Sequence, residues 1–371
     1  METKLLNGNN KEAIAEASKI LQDGGLVAFP TETVYGLGAD ALNADAAAKI
    51  YAAKGRPSDN PLIVHIADTD AVEKLADLET MNRTHPDMVK KAHMLMEAFW
   101  PGPLTIIFPK LAIVPDGTTG GLPTVAIRMP SHPIAQELIR TSGVSIAAPS
   151  ANTSGRPSPT TAQHVWEDMD GRIEMILDGG AVGIGIESTI VDMTGTIPTI
   201  LRPGFITKTM LSEIVGDVTI DPAIIEPDPN LRPKAPGMKY THYAPHGTLS
   251  IVEAVADESA NRASLHSGVK VSYNATEAET LRVAEKIKAL VNEKEAQGYK
   301  VAILTTKEHA SLYKNYSHVL IVGEGSKGQT ISARLPSEVQ DDAVFHGLPA
   351  REGRNSAREK VWMLSRIIRS G

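Results

Sequence analysis

The chain reads as an α/β protein of two domains: a twisted, mixed open sheet with helices, then a smaller Rossmann-like α/β domain joined to it by a Pro-rich linker. Three observations predict this. Apolar runs of strand length alternate with stretches of helical periodicity. At 371 residues the chain exceeds what one ordinary core covers. Between about Gly216 and Gly247 periodicity stops, and Pro222, Pro227, Pro229, Pro233, Pro236 and Pro245 mark an extended connection. The expected division is 1–215, a linker over 216–247, and 248–371.

Each element has its own signal. Ala13, Ile14, Ala17, Ile20 and Leu21 recur at helical spacing, Gly24-Gly25 stops that helix, and Leu26 to Phe29 follows as a buried strand. Asn43 is placed to cap a helix running to Lys54. Strands are expected at Leu62 to Ile66, Leu104 to Phe108, Val125 to Met129, Val144 to Ala148, Glu174 to Leu177, Ser188 to Met193 and Thr199 to Leu201. Helices are expected at Pro86 to Phe99, Pro133 to Thr141 and Thr160 to Glu167. Because strand and helix do not alternate cleanly, the sheet should be mixed. Beyond the linker, strands at Leu249 to Val252, Val301 to Thr305 and Val319 to Val322, with helices over Glu277 to Ala296 and Ser356 to Arg369, suggest a parallel sheet.

Composition narrows the function. With 42% hydrophobic and 22% charged residues the chain is globular, and no apolar run approaches the ~20 residues of a membrane span. Met1-Glu2-Thr3-Lys4 leads into Asn and Gly rather than a signal-peptide core, so a cytoplasmic protein without a membrane partner is expected. The absence of cysteine excludes disulfides, thiol catalysis and thiolate metal sites. A net charge of -7 argues against DNA and against an extensive RNA surface, although a local basic groove stays open.

Two polar clusters stand out, Lys54-Gly55-Arg56 and Ser150-Ala151-Asn152, each in a Gly/Pro-rich loop between apolar strands. Arg offers a planar fork of donors and Lys a mobile point charge, a pairing suited to a polyphosphate. A solvated basic turn is the bland alternative. Thr31-Glu32-Thr33 either binds a polar ligand or closes a turn. Arg128, inside an apolar strand, needs an anionic partner, either a structural carboxylate or a substrate's. Gly36-Leu37-Gly38-Ala39-Asp40-Ala41 imitates a dinucleotide fingerprint but lacks the strand, turn and helix succession. No P-loop or nucleophile elbow occurs, and His242 and His246 straddle Pro245, which disfavours a metal helix.

The sequence nevertheless resembles a known family. Phe29 to Leu37 (FPTETVYGL), Lys54 to Pro57 (KGRP), Trp100 to Thr105 (WPGPLT), Val125 to Pro130 (VAIRMP), Pro149 to Asn152 (PSAN), Glu187 to Ile190 (ESTI) and Leu201 to Gly204 (LRPG) occur in the order seen in threonylcarbamoyl-AMP synthases of the YrdC-like superfamily. The match covers residues 10 to 210, and Pro236 to Pro245 resembles the linker of two-domain members. Phe345 to Arg354 departs from the family's C-terminal pattern.

The resemblance implies a nucleotidyltransferase. L-threonine, bicarbonate or carbon dioxide, and ATP with Mg²⁺ give L-threonylcarbamoyl-adenylate and pyrophosphate. A downstream threonylcarbamoyl transferase complex then modifies tRNAs reading codons that begin with A, with tRNA itself a further candidate ligand. Carried over, the family pattern assigns threonine to Thr33, His65, Arg128, Ala148 and Ser188. ATP falls to Lys54, Arg56, Asn60, Thr124, Ser150, Asn152, Ser158 and Arg202, with Lys54 and Arg56 catalytic. Tyr243 is the linker tyrosine expected to close over the nucleotide, and no protein metal cage is expected. Alternatives from other classes are a tRNA or double-stranded RNA binding module and a carbamoyl-transfer enzyme of the same superfamily.

Overall fold

The structure is a computed structural model, and residues 2–224, 248–252, 277–296, 301–305, 310–316, 319–321 and 342–346 are described. The chain divides into two compact units, Met1–Thr241 and His242–Gly371. The proline-rich stretch after Ile224 and the helix expected over 356–369 lie outside the described residues.

In the first unit the strands are β1 (Lys4–Asn7), β2 (Val27–Pro30), β3 (Tyr35–Asp40), β4 (Ile63–His65), β5 (Leu104–Pro109), β6 (Thr124–Arg128), β7 (Ile146–Ala147), β8 (Met175–Asp178), β9 (Thr189–Asp192), β10 (Thr199–Arg202) and β11 (Thr219–Ile220). They form one sheet in the order β1-β8-β2-β3-β7-β4-β6-β5-β9-β10-β11. The sheet is mixed as expected: β4 pairs parallel to β6, whereas β5 pairs antiparallel to it. Helices are α1 (Lys11–Gln22), α2 (Ala44–Lys54), α3 (Leu78–Thr84), α4 (Pro86–Phe99), α5 (Asp116–Thr119), α6 (Pro133–Ser142), α7 (Ala162–Met169) and α8 (Lys208–Val215).

Period-2 alternation divides the sheet's two faces. Val27 and Phe29 of β2 and Met175 and Leu177 of β8 pack with Ala13, Ile14, Ala17 and Leu21 of α1 and Leu138 of α6. Their neighbours Ala28 and Ile176 turn to the opposite face, into the main core with Ile50, Leu95, Ile106, Phe108 and Ile127. Farther along the sheet, the face turned away from that main core buries only a small cluster, Ile63, Ile107, Ala126, Ile190 and Leu201. Polar residues of the site continue this third surface.

Among the elements that the sequence reading does not assign, two have identifiable reasons. Tyr35–Asp40 is strand β3, hairpinned to β2, where the sequence reading assigns no element. Its glycines permit close strand approach: a Cβ on Gly38 would lie 2.7 Å from Ile146 Cγ2 and 2.8 Å from Phe29 Cε1. The G-x-G pattern therefore serves packing in a strand. A strand of the second unit, Asp342–His346, goes unassigned because only three apolar residues mark it.

In the second unit β12 (Thr248–Val252), β13 (Val301–Thr305), β14 (Val319–Ile321) and β15 (Asp342–His346) form a wholly parallel sheet in the order β12-β15-β13-β14. Helix α9 (Glu277–Ala296) buries Ala284, Ile287 and Val291 with Ile303 and Tyr313.

Gly204 shows how tightly the β10 end is packed. A Cβ there would meet Glu187 O and Thr189 N at 2.5 Å each, backbone atoms that cannot swing aside. Gly204→Ala should cost about 2 kcal/mol as an overpacking change, read as a lowered denaturant midpoint; an unchanged midpoint would contradict this packing.

Candidate active site

Helix α2 delivers the first cation pair. Asn43 caps its start, accepting from the Asp45 and Ala46 amides at 3.1 Å each. Gly55 ends it in the left-handed conformation at φ 62°, so the chain turns sharply between Lys54 and Arg56. Lys54 is buried at 3% exposure, and its Nζ donates to the carbonyls of both Ser150 and Asn152. The two clusters noticed in the sequence are thus joined by one ammonium. Burial pushes the Lys54 ammonium well below the ordinary lysine range and Arg56 pushes it further, while Glu187 and Asp168 oppose the fall.

Arg56 Nη2 donates to Pro61 O at 3.0 Å and to Asn60 O at 3.4 Å, holding the proline-framed loop in a tight ring. On the other cluster, Ser150 Oγ donates to Asn152 Oδ1 at 2.6 Å. The Asn152 amide in turn donates to Thr153 O at 2.8 Å and Arg156 O at 2.7 Å. Ser154 N donates to Lys54 O at 2.9 Å, and Asp168 accepts from Arg156 Nη1 and from Thr153 N. The loop is a preorganised polar surface rather than a solvated turn.

The sheet contributes a row of polar side chains. His65 lies opposite Arg128 across β4 and β6, and Thr105 opposite Arg128 across β5 and β6. Cross-strand partners share a face, so these three continue the surface of Ile63, Ile107 and Ala126. Arg128 is 4% exposed; its Nη2 donates to Glu32 Oε1 at 2.7 Å and its Nε to Gly102 O at 3.3 Å. Of the two anions open to Arg128, the structure supplies the structural carboxylate, Glu32. Ser131 N donates to the other Glu32 oxygen at 3.1 Å. Burial first, then Arg128, lowers the His65 imidazole to a pKa of about 3, so His65 is neutral; its Nδ1 lies 3.1 Å from Ile63 O.

A second chain of bonds leaves this row. Thr105 Oγ1 lies 2.7 Å from Ser188 Oγ, which accepts from Arg202 Nη2 at 3.1 Å. Arg202 Nη1 donates to Glu187 Oε2 at 2.8 Å, and Ser158 Oγ donates to Glu187 Oε1 at 2.9 Å. Thr33 is fully buried, its hydroxyl 2.9 Å from that of Thr31, and Thr31 Oγ1 closes the turn on Val34 O at 2.6 Å. The turn also holds the glycine loop: Gly185 N donates to Thr33 O and Ile184 N to Glu32 O, each at 2.9 Å.

The residues singled out from the sequence therefore fall into linked groups. Lys54, Ser150 and Asn152 form one, and Arg202, Ser158 and Ser188 another, with Glu187 influencing Lys54 electrostatically. His65 and Arg128 share the row. Ala148 is buried, its amide donating to Ile63 O at 2.8 Å. Thr124 opens β6 opposite Pro109, at the far end from Arg128, and no hydrogen bond among the described residues joins it to the others. Tyr243 lies outside the described residues. Glu32, Glu187 and Thr105 were not assigned from sequence. A period-2 reading of Leu104-Thr105-Ile106-Ile107 would have put Thr105 on the face of Ile107.

A mixed sheet with the polar row of His65, Arg128 and Thr105 on one face and buried cations in the adjoining loops is the scaffold of an α/β enzyme for small polar substrates. Comparison with known proteins places it further. The family model described as telomere recombination (Sua5, YciO and YrdC) matches residues 19–204, and that described as threonylcarbamoyl-AMP synthase, C-terminal domain, matches residues 206–340. Threonylcarbamoyl-AMP synthase of Bacillus subtilis is 46% identical over 327 residues, 88% of this chain and 83% of that one. The Pyrococcus abyssi enzyme of that name is 49% identical over 255 residues, 67% of this chain and 72% of that one. A crystal structure of P. abyssi Sua5 complexed with L-threonine superposes with a TM-score of 0.78 at 35% identity, covering 100% of this chain and 97% of that one. The chain belongs to the threonylcarbamoyl-AMP synthase family.

Two outcomes follow from this geometry. Removing the Glu32 carboxylate leaves a buried guanidinium short of its partner, so Glu32→Ala should cost about 3 kcal/mol and Glu32→Gln, which still accepts, distinctly less. Denaturant midpoints compare the two, and equal losses would deny the ion pair its role. His65 binds no proton when folded until about pH 3, whereas an unfolded histidine takes one up near 6.5, so stability should fall as pH drops from 6.5 toward 3. His65→Gln should flatten that acid limb by as much as one proton's slope, about 1.4 kcal/mol per pH unit; an unchanged limb would mean His65 does not carry it.

Proposed function

We propose that this chain condenses L-threonine, bicarbonate or carbon dioxide, and ATP into L-threonylcarbamoyl-adenylate and pyrophosphate. The observation that carries the reading is the Lys54 ammonium bonded to both the Ser150 and Asn152 carbonyls, which makes one cationic surface of the Lys54-x-Arg56 and Ser150-x-Asn152 loops. Residues 1–215 form the catalytic part on this reading, 216–247 the linker that carries Tyr243 as a cover for the nucleotide, and 248–371 an accessory domain.

In the reaction, a carbamate oxygen of carboxylated threonine bonds to the ATP α-phosphorus, and the bond from that phosphorus to the bridging oxygen breaks to release pyrophosphate. The nucleophile is weak, so positioning and charge neutralisation carry the rate. Lys54 and Arg56 face the polyphosphate. Asn60, Thr124, Ser150, Asn152, Ser158 and Arg202 complete the nucleotide contacts. Arg128, already fixed on one side by Glu32, turns its Nη1, which has no partner among the described residues, to the threonine carboxylate. Thr33, neutral His65, Ala148 and Ser188 line the rest of the amino-acid pocket. Among the described residues no group of three or more His, Asp or Glu is placed to hold a metal ion. Mg²⁺ therefore fits as a companion of ATP, bound by phosphate oxygens and water, where it would offset phosphate charge. The adenylate is labile, and a partner transferase that passes its threonylcarbamoyl group to tRNA completes the proposal.

ATP-dependent pyrophosphate release should require both L-threonine and bicarbonate, and release indifferent to omitting either would sink the assignment. Lys54→Ala and Arg56→Ala should each lower kcat/KM about a hundredfold or more while circular dichroism stays native. A variant that simply unfolds would return these cations to a structural role.

A further inference from the structure

Thr105 belongs to no ligand set proposed above, yet it is fully buried and lies opposite Arg128 in the row that ends at Ser188. Its hydroxyl lies 2.7 Å from Ser188 Oγ and has no other hydrogen-bond partner among the described residues. Proton counting then decides the direction of that bond. Thr105 sits within β5 between β6 and β9, with none of its surface exposed. Were Ser188 the donor, the Thr105 proton would be sealed in the sheet without an acceptor and would incur the full desolvation penalty. Thr105 therefore donates to Ser188.

Arg202 Nη2 also donates to Ser188 Oγ, at 3.1 Å, and a guanidinium never accepts. Both lone pairs of the Ser188 oxygen are then taken. Its own proton remains, and no acceptor for it exists among the described residues other than Thr105, which is excluded. We propose that Thr105 is a positioning residue that, together with Arg202, holds the Ser188 hydroxyl as a hydrogen-bond donor aimed at an oxygen acceptor of the amino-acid substrate. The proposal rests on the reading that Ser188 faces threonine. A serine fixed in this way favours a carboxylate or carbamate oxygen and disfavours an ammonium, because two donors facing each other repel. With Thr105 absent, Ser188 regains a free lone pair and its proton is no longer directed.

Calorimetric titration of L-threonine into the full-length chain, together with pyrophosphate-release kinetics, tests this with Thr105→Val, Thr105→Ser, Thr105→Ala, Ser188→Ala and the Thr105→Val/Ser188→Ala pair. Thr105→Val should weaken L-threonine about tenfold, the loss of one directed hydrogen bond, with KM for ATP changed less than about twofold. Thr105→Ser should restore affinity. On the Ser188→Ala background, Thr105→Val should add less than about twofold, since its effect passes through Ser188. If Thr105→Val fails to fold, the contrast of Thr105→Ala with Thr105→Ser decides in the same way. An unchanged threonine affinity in Thr105→Val, or a full additional loss on the Ser188→Ala background, overturns the proposal while the pocket assignment stands. If Ser188→Ala itself binds threonine like the parent, the pocket assignment falls and this inference with it.

Discussion

The bond from the Lys54 ammonium to the Ser150 and Asn152 carbonyls is the interaction on which the proposed nucleotide site depends. Lys54 ends α2 and the Ser150 loop follows β7, elements nearly a hundred residues apart in the chain. An ammonium at 3% exposure has lost most of its water, and carbonyl dipoles replace only part of it. Arg56 adds a second buried cation two residues away, and the balance tilts against charge at Lys54. A buried ammonium of this kind contributes little to the stability of a fold and, on the proposed reading, would gain from an incoming polyanion.

The proposed threonine pocket obeys the complementary rule. Arg128 sits within β6, and there the protein provides its own anion in Glu32, whose second oxygen is held by the Ser131 amide. The guanidinium is oriented before any ligand arrives, so little rotamer freedom remains to be lost on binding. Neutral His65 beside it is a consequence of burial and then of the same cation, and it keeps a second positive charge from accumulating in the row. Arg128 is paired and aimed by a carboxylate, whereas the Lys54 ammonium donates to carbonyl oxygens of the backbone.

Much of this was legible in the sequence because loops with proline and glycine announce themselves and buried cations are rare. Asn43, Gly55 and the apolar runs marked α2 and β4, and the lone arginine in Val125-Ala126-Ile127-Arg128 demanded a carboxylate partner. That the partner is Glu32 could not be read, because 96 residues separate them and Glu32 lies in the turn after β2, a strand that three others separate from β6 in the sheet. Strand β3 was hidden for another reason. Its glycines carry no β propensity, and their role appears only when Phe29 and Ile146 are seen to press on them. Thr105 was overlooked because a threonine in a strand is ordinary; its meaning comes from register, opposite Arg128 and beside Ser188.

Arg202 brings the two sides into one argument. Its guanidinium donates to the Glu187 carboxylate, to Ser188 O and to Ser188 Oγ, so a residue placed with the nucleotide also constrains a residue placed with the amino acid. Glu187 holds Ser158 on its other oxygen and lies within electrostatic reach of Lys54. A phosphate group drawing on Arg202 would compete with Glu187 for the same donors, and any shift of the guanidinium would be felt at Ser188 through a single hydrogen bond. For the proposed reaction, in which a carbamate oxygen meets an α-phosphorus in line, an arginine bonded to both Glu187 and Ser188 would tie the two proposed pockets together.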